Sequence, residues 1–256
     1  MPRRSFKSDE SFLEKLAIGA TGTRAVFNDL KQQGHRPIEL ERGSLGFKIW
    51  KSIKIKRLRV PDILCLACGT RIEARGKTQL EISMSHSLSD PERGWDYGLL
   101  DGDVVAISFC AKSGDGPTDW KASSLIQYVS VLNLRKAFNE KRVLTEKPKG
   151  AQEGFELRVR WPRAISSCDG MVLETSPRLK FKRAEDQRTI SLGLSRAAIS
   201  LQPLVRAGDR IHTGQIVASV VPVTSNLPCR GSANAETFLA LLRSTSVADR
   251  YASATT

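Results

Sequence analysis

The stretch that decides the fold is residues 59–77, which read RVPDILCLACGTRIEARGK. It predicts two short strands joined by a tight turn, because apolar and polar residues alternate on both sides of a glycine. We centre the turn on Cys68 and Gly69, so that Ala67 faces Thr70. The pairing predicted for this turn is Leu64 with Glu73, Asp62 with Arg75, and Val60 with Lys77.

One face of this predicted hairpin is polar, because directly opposed residues point to the same side of a sheet. The polar face carries Asp62, Glu73, Arg75 and Lys77, and the other face carries Ile63, Cys65, Ile72 and Ala74. Two carboxylates flanked by cations have the chemistry to hold a divalent metal beside a phosphate. We therefore predict a metal site at Asp62 and Glu73, with Arg75 and Lys77 as its catalytic cations.

The composition favours a soluble protein with an anionic partner. The 256 residues carry a net charge of +13, and such an excess favours polyanions, above all nucleic acid. Charge alone also fits an anionic membrane surface. No apolar run is long enough to span a membrane, and the basic start MPRRSFKSDESF is not followed by an apolar segment. We therefore expect a cytoplasmic protein without a membrane partner.

The most basic part of the chain is residues 46–60, GFKIWKSIKIKRLRV, which contain no acid. Isoleucines alternate with lysines there, which predicts a strand with one apolar and one cationic face. Such a face, with an interleaved tryptophan, suits a phosphate backbone. The alternative is a solvated strand face. The residues predicted to bind nucleic acid are Lys48, Trp50, Lys54, Lys56, Arg57 and Arg59.

The five cysteines are odd in number and scattered, which argues against a disulfide framework. Cys65 and Cys68 have the spacing of half a zinc site. A structural zinc site needs four ligands, and the sequence contains no second CxxC and no HxxxH. The sequence therefore favours Cys65 as a small core residue and Cys68 as a turn residue.

The rest of the first half predicts alternating helices and strands. We expect a helix over residues 8–33, broken at Gly19–Thr23 and ended by Gly34. The second arm of the hairpin is predicted to continue as one strand to Met84. Further predictions are a short helix over 91–99, a buried, parallel-type strand over 103–110, and a helix that begins at Thr118 or Asp119 and continues past Leu132.

The second half predicts short strands, over 155–161, 171–175, 179–182 and 189–194, followed by a hairpin over 204–220. We expect three parts: an α/β domain over 1–145, a small β barrel or sandwich over 154–222, and a helical tail over 232–256, with polar linkers between them. The tail predicts helices over 235–244 and from 247. The second has no C-capping residue, so we expect that a further segment or a protein partner completes it.

The hairpin resembles the PD-(D/E)XK nuclease superfamily in Pro61-Asp62 and in Glu73-Ala74-Arg75. The resemblance covers roughly residues 10–140 and includes the order helix, three strands, short helix, strand. It implies a restriction-endonuclease-like core with a mixed sheet flanked by helices. It also implies Asp62, Glu73 and the carbonyl of Ala74 as metal ligands. Arg75 occupies the usual lysine position, where arginine cannot act as a general base, and Lys77 is the substitute.

Two weaker resemblances concern the second half. Residues 205–219 resemble the hairpin of barrel-sandwich-hybrid domains, without a lysine at the tip for a carrier group. Residues 237–254 are similar to the start of a HEAT-type helical repeat.

These patterns give one leading hypothesis and two alternatives. The leading hypothesis is a phosphodiesterase, endonuclease-like, that uses Mg²⁺ and acts on DNA. The first alternative is an inactive nucleic-acid-binding module on the same fold, with Asp62–Arg75 and Glu81–Lys56 as structural ion pairs. The second is a scaffold that binds protein through the β domain and the terminal helices.

Overall fold

A computed structural model of the chain describes residues 9–40, 61–147 and 156–231. The described residues form a mixed α/β structure that is mostly sheet. In the first half the elements are α1 (Asp9–Gln32), β1 (Pro37–Glu39), β2 (Ile63–Cys65), β3 (Arg71–Lys77), β4 (Ile82–His86), a 3-10 helix (Pro91–Arg93), β5 (Val104–Lys112), β6 (Trp120–Ser130), α2 (Val131–Asn139) and β7 (Leu144–Glu146). In the second half they are β8 (Leu157–Trp161), β9 (Arg163–Ile165), β10 (Gly170–Glu174), β11 (Leu179–Arg183), β12 (Thr189–Leu192), β13 (Ser195–Arg196), β14 (Ile199–Ser200), β15 (Gln202–Pro203), β16 (Arg210–Ile211) and β17 (Ile216–Ser219).

The largest sheet has the strand order β1-β2-β3-β5-β6. β3 and β5 run parallel, whereas the other neighbours in this sheet are antiparallel. The prediction of a buried, parallel-type strand at 103–110 is confirmed. Helix α1 covers one face, where Val26 and Leu30 pack against Ile63 and Ile72. The apolar face predicted for the hairpin is thus the face that binds the helix.

A larger hydrophobic cluster covers the other face. It joins Ile107 of β5 to Trp161 of β8 and Phe181 of β11, so it contains residues from both predicted domains. The indole N–H of Trp161 donates a hydrogen bond to the carbonyl of Leu134 at 3.1 Å. Strand β8 also pairs with β4 and β7. Residues on the two sides of the predicted boundary therefore share apolar burial and backbone pairing.

The register of the hairpin differs from the prediction by two residues. Ile63 lies opposite Ile72, and Leu64 lies opposite Arg71 rather than Glu73. The turn is longer than predicted, since the N–H of Cys65 donates to the carbonyl of Thr70 at 2.9 Å and residues 66–69 form the loop. A slip of two residues keeps every side chain on its predicted face, because the side-chain period of a strand is two.

Helix α1 is continuous, so the predicted break at Gly19–Thr23 is wrong. The glycines serve packing instead. A Cβ atom at Gly22 would lie 2.5 Å from the Cα of Gly76 on β3, and a Cβ at Gly76 would lie 2.3 Å from the carbonyl oxygen of Ile18. The helix can approach the sheet this closely only because both positions lack a side chain.

The helix predicted from residue 118 is wrong over its first half. Residues 120–130 form β6, and only residues 131–139 are helical. Four consecutive residues, 126–129, are buried, which fits a central stretch of strand covered on both faces. The apolar spacing of three and four residues fitted a helix equally well, and pairing with β5 decides in favour of the strand.

The predicted long strand from the hairpin to Met84 is also wrong. The chain leaves the first sheet after Lys77, and β4 pairs with β8 in a different sheet. The predicted helix over 91–99 is reduced to the 3-10 turn at Pro91–Arg93, where the N–H of Glu92 donates to the carboxylate of Asp90.

The second half contains the predicted short strands, but within the described ranges they do not close into a barrel. They divide among small sheets of four, three and two strands. In the predicted hairpin at 204–220, β16 pairs with β10 whereas β17 pairs with β15 and β9. Neither described helix is long and apolar enough to cross a membrane. The predicted tail, 232–256, lies outside the described residues.

Candidate functional site

The polar face of β3 carries the residues that the sequence singles out. Alternate positions of this strand are Arg71, Glu73, Arg75 and Lys77, which alternation places on one side of the sheet. Arg71 is buried and forms an ion pair with Asp103, at 3.0 Å between Nη2 and Oδ2. Burial raises the pKa of Asp103, although the Leu100 N–H and Arg71 oppose the shift. This ion pair holds Arg71, the first residue of β3, in place.

Asp62 directly precedes β2, and continuing the observed register by one residue places it opposite Glu73. Its Oδ2 accepts a hydrogen bond from the backbone N–H of Ala74 at 2.7 Å. The two predicted metal ligands are therefore neighbours across the hairpin. The predicted register, which set Asp62 opposite Arg75, is wrong by two residues.

Glu73 is paired with its own strand neighbour. Nη2 of Arg75 lies 2.7 Å from Oε1 of Glu73, and the glutamate side chain is 15% exposed. The guanidinium of Arg75 therefore balances the negative charge of the Glu73 carboxylate. The Nε–H of Arg75 is buried and makes no hydrogen bond among the described residues.

Lys77 enters a buried polar network. Its ammonium nitrogen donates to the carbonyl of Ser83 at 2.8 Å and to the Ser83 hydroxyl at 3.1 Å. That hydroxyl in turn donates to the buried carboxylate of Glu81 at 2.8 Å. Burial, together with the positive charges of Arg75 and Arg158, lowers the pKa of Lys77 to about 7.

Arginines of β8 and β9 surround this network, and they are not among the residues that the sequence predicted to bind nucleic acid. Arg158 and Arg160 form ion pairs with Glu81, and Arg160 also binds Glu146 at 2.6 Å. Arg163 donates to the carbonyl of Leu80. The predicted pairing of Glu81 with Lys56 involves a residue outside the described parts, and the ion-pair partners of Glu81 that the structure describes are Arg158 and Arg160.

We call these cations the basic cluster, which consists of Arg75, Lys77, Arg158, Arg160 and Arg163. Burial and the neighbouring Arg160 lower the pKa of Arg158. Burial and three other arginines, including Arg160 and Arg158, lower the pKa of Arg163. Each cation is therefore within electrostatic reach of others, and the arrangement favours an anionic ligand.

The predicted nucleic-acid-binding residues of the basic stretch lie outside the described residues. They are Lys48, Trp50, Lys54, Lys56, Arg57 and Arg59.

A second group of side chains meets at the opposite end of the hairpin. One ligand atom from each of His35, Cys65, Cys68 and Cys229 lies within 4.8 Å of the other three. The sequence argued against a zinc site because it contains no second local pair of ligands. The fold supplies that pair from residues 35 and 229, which are far apart in the chain. The one local signal was the CxxC itself.

The donor sets of the two sites differ in kind. Carboxylate oxygens such as those of Asp62 and Glu73 fit Mg²⁺, whereas thiolates and imidazole fit Zn²⁺. A metal ion at Glu73 would share the carboxylate with Arg75 or displace it.

The sequence and the fold were compared with family models, with curated proteins and with solved structures, and none of them matches.

Proposed function

We propose that the protein binds the backbone of DNA through the basic cluster. The observation that carries this proposal is the crowding of cations from β3, β8 and β9, where burial and the charges of neighbouring arginines lower the pKa values of Lys77, Arg158 and Arg163. The five cations of the cluster have three acidic partners among the described residues, Glu73, Glu81 and Glu146.

A phosphodiester backbone supplies the missing negative charge. The side chains of Arg75, Arg158 and Arg160 remain 30–39% exposed, so solvent and ligands reach them. Guanidinium groups form strong charge-assisted hydrogen bonds with phosphate oxygens, so the exposed parts of these side chains suit a DNA backbone. The net charge of +13 would steer the whole molecule towards DNA. Contacts of this kind hold the backbone without reading bases.

The test is binding of a fluorescent DNA duplex over a series of salt concentrations. We expect the affinity to fall steeply with salt, because each neutralised phosphate releases counterions. In the double variant Arg75→Gln, Arg160→Gln the slope of log affinity against log salt should decrease by about 0.9 for each phosphate that the protein no longer neutralises.

The matched control is the double variant Lys180→Gln, Arg188→Gln, which removes the same charge from the sheet of β11 and β12. It should retain most of the affinity. Equal losses in the two double variants would mean that net charge alone binds DNA, and no loss in the first would also overturn the proposal. Circular dichroism checks that both variants fold.

A second candidate function is cleavage of the bound DNA, as in the PD-(D/E)XK nucleases that the hairpin resembles. Two observations favour it. Asp62 and Glu73 occupy neighbouring positions, and Lys77 has a pKa near the pH at which a general base works best. The order of α1, β1, β2, β3 and β5 also supports a restriction-endonuclease-like core. We also propose that the protein acts in the cytoplasm.

Each residue has a role in this candidate. Asp62 and Glu73 would hold Mg²⁺, which neutralises charge on the scissile phosphate and activates water. Neutral Lys77 would accept a proton from the attacking water, and Arg75, once released from Glu73, would stabilise the charge that develops on the phosphate.

We expect nicking of supercoiled DNA in Mg²⁺, abolished by Asp62→Asn and by Glu73→Gln, and a rate that rises with pH up to about 7, the pKa of Lys77. The control Glu146→Gln removes a carboxylate that pairs with Arg160 away from the hairpin. Full activity in either hairpin variant, or cleavage that persists in a chelator, would eliminate this candidate and leave the binding proposal intact.

A further inference from the structure

We propose that His35, Cys65, Cys68 and Cys229 bind one zinc ion and that this ion fastens three distant parts of the chain. The four residues supply three thiolates and one imidazole, a combination typical of structural zinc sites. Four protein ligands close the coordination sphere, so the ion has a structural role. The inference is independent of the DNA-binding proposal.

The distances fit a single tetrahedral ion. With zinc–sulfur bonds of about 2.3 Å and a zinc–nitrogen bond of about 2.05 Å, ligand sulfurs lie about 3.8 Å apart and sulfur lies about 3.6 Å from nitrogen. Sγ of Cys65 lies 4.0 Å from Sγ of Cys229, and Sγ of Cys68 lies 3.6 Å from Nδ1 of His35. A disulfide would need a sulfur separation of about 2.05 Å, far shorter than the distance between Cys65 and Cys229.

The imidazole is prepared for metal binding. Nε2 of His35 lies 2.5 Å from the carbonyl oxygen of Leu227, and because a carbonyl can only accept, Nε2 carries the proton. In the neutral ring Nδ1 is then unprotonated, and it is the atom that faces Cys68. A carbonyl that orients a ligating histidine through its other nitrogen is a common feature of metal sites.

Hydrogen bonds also position the sulfur atoms of Cys65 and Cys68. The backbone N–H of Arg36 donates to Sγ of Cys65 at 3.4 Å, and the Thr70 hydroxyl lies 3.1 Å from Sγ of Cys68. Gly69, with φ of +71°, directly follows Cys68, and its N–H donates to the Cys65 carbonyl at 2.9 Å, which closes the turn that holds both cysteines.

The ligands come from three different structural contexts. Helix α1 ends at Gln32, and Gly34, with φ of +84°, turns the chain just after it. The N–H of His35 donates to the carbonyl of Leu30 at 2.9 Å. This helix end fixes the position of His35. Cys229 belongs to the segment that follows Val221, and Leu227 in that segment packs against the helix-covered core. Zinc would therefore join the helix end, the hairpin turn and the C-terminal segment.

The test is metal analysis of the purified full-length chain. We expect about one zinc ion per chain by mass spectrometry, and a zinc-edge absorption spectrum that fits three sulfurs at about 2.3 Å and one nitrogen at about 2.05 Å. Cys68→Ser and Cys229→Ser should lower the zinc content to background. Cys168→Ser, which changes a partly buried cysteine outside the group, should leave it unchanged.

Two further results decide the matter if the serine variants do not fold. Wild-type protein loaded with Co²⁺ instead of zinc should show thiolate-to-metal charge-transfer absorption, and removal of zinc by a chelator should lower the melting temperature. Wild-type protein without zinc, a spectrum dominated by oxygen ligands, or a disulfide between Cys65 and Cys229 in the purified chain would overturn the proposal.

Discussion

At the scale of single residues, Lys77 shows how the fold changes the chemistry of a side chain. The sequence places it one pleat beyond Arg75 and predicts only that it shares the polar face. In the structure it lies among Arg75, Arg158 and the buried Ser83, and these surroundings lower its pKa to about 7 from 10.5. The neutral form is therefore substantially populated at neutral pH.

This shift predicts an unusual dependence of stability on pH. Between pH 7 and 10.5 the lysine is protonated in the unfolded chain and largely neutral in the folded protein. Raising the pH favours the state that binds fewer protons, which here is the folded one. The free energy of unfolding should therefore increase through this window, by up to about 1.4 kcal/mol per pH unit. Below pH 7 both states bind the proton, so the contribution of Lys77 is constant there.

Urea unfolding of the wild type and of Lys77→Met, at about pH 7 and about pH 9, measures the effect. We expect the increase with pH to be smaller in Lys77→Met than in the wild type. Lys180→Met, at a half-exposed lysine of β11, should behave as the wild type does. Identical pH slopes in wild type and Lys77→Met would show that Lys77 remains charged when folded.

At the scale of elements, the packing of α1 on β3 depends on two glycines. Gly22 faces Gly76 across the helix–sheet interface, and a Cβ on either residue would lie 2.3–2.5 Å from backbone atoms. A glycine in a helix interior normally lowers stability relative to alanine. Here the close approach of the helix to the sheet requires it.

We therefore expect Gly22→Ala to destabilise the protein by about 1–3 kcal/mol, through overpacking that the backbone cannot relieve. Gly19→Ala is the matched control, because a Cβ atom at this nearby position of α1 would meet no atom within 4 Å. That change should be neutral or stabilise the helix by up to about 1 kcal/mol. Thermal and urea unfolding measure both, and a stabilised Gly22→Ala would contradict the packing assigned to α1.

The hairpin illustrates which part of an element a sequence predicts well. Alternation fixed the faces, and burial of Ile63 and Ile72 against α1 confirms the apolar one. The register was wrong by two residues, because residues 66–69 form a longer loop that brings Cys65 and Cys68 together. Alternation does not determine the register, since any even slip preserves it.

At the scale of the whole molecule, residues 224–231 contact elements from the first half of the chain. Residues 224–231 were predicted as a linker, but Thr224 pairs with Tyr128 of β6 and the N–H of Leu227 donates to the side chain of Gln33. The Tyr128 hydroxyl in turn donates to Asp29 of α1 at 2.5 Å. The segment is therefore bound to the helix and to the first sheet.

Four features could be predicted from the sequence: the mixed α/β class, the two faces of the hairpin, the buried strand β5 and the end of α1 just before Gly34. They depend on local alternation and on glycine. The helix predicted at residues 120–130 was wrong, because the apolar spacing there fits a strand as well as a helix.

Only the tertiary structure decided which distant side chains meet. It brings Arg158 to Lys77, and it brings His35 and Cys229 to the two cysteines of the turn. Neither contact can be recognised from residue spacing in the sequence. Strand pairing and packing bring together residues whose separation along the chain is arbitrary. The physical reason is that local periodicity records which side of an element is buried, whereas a site depends on which elements become neighbours.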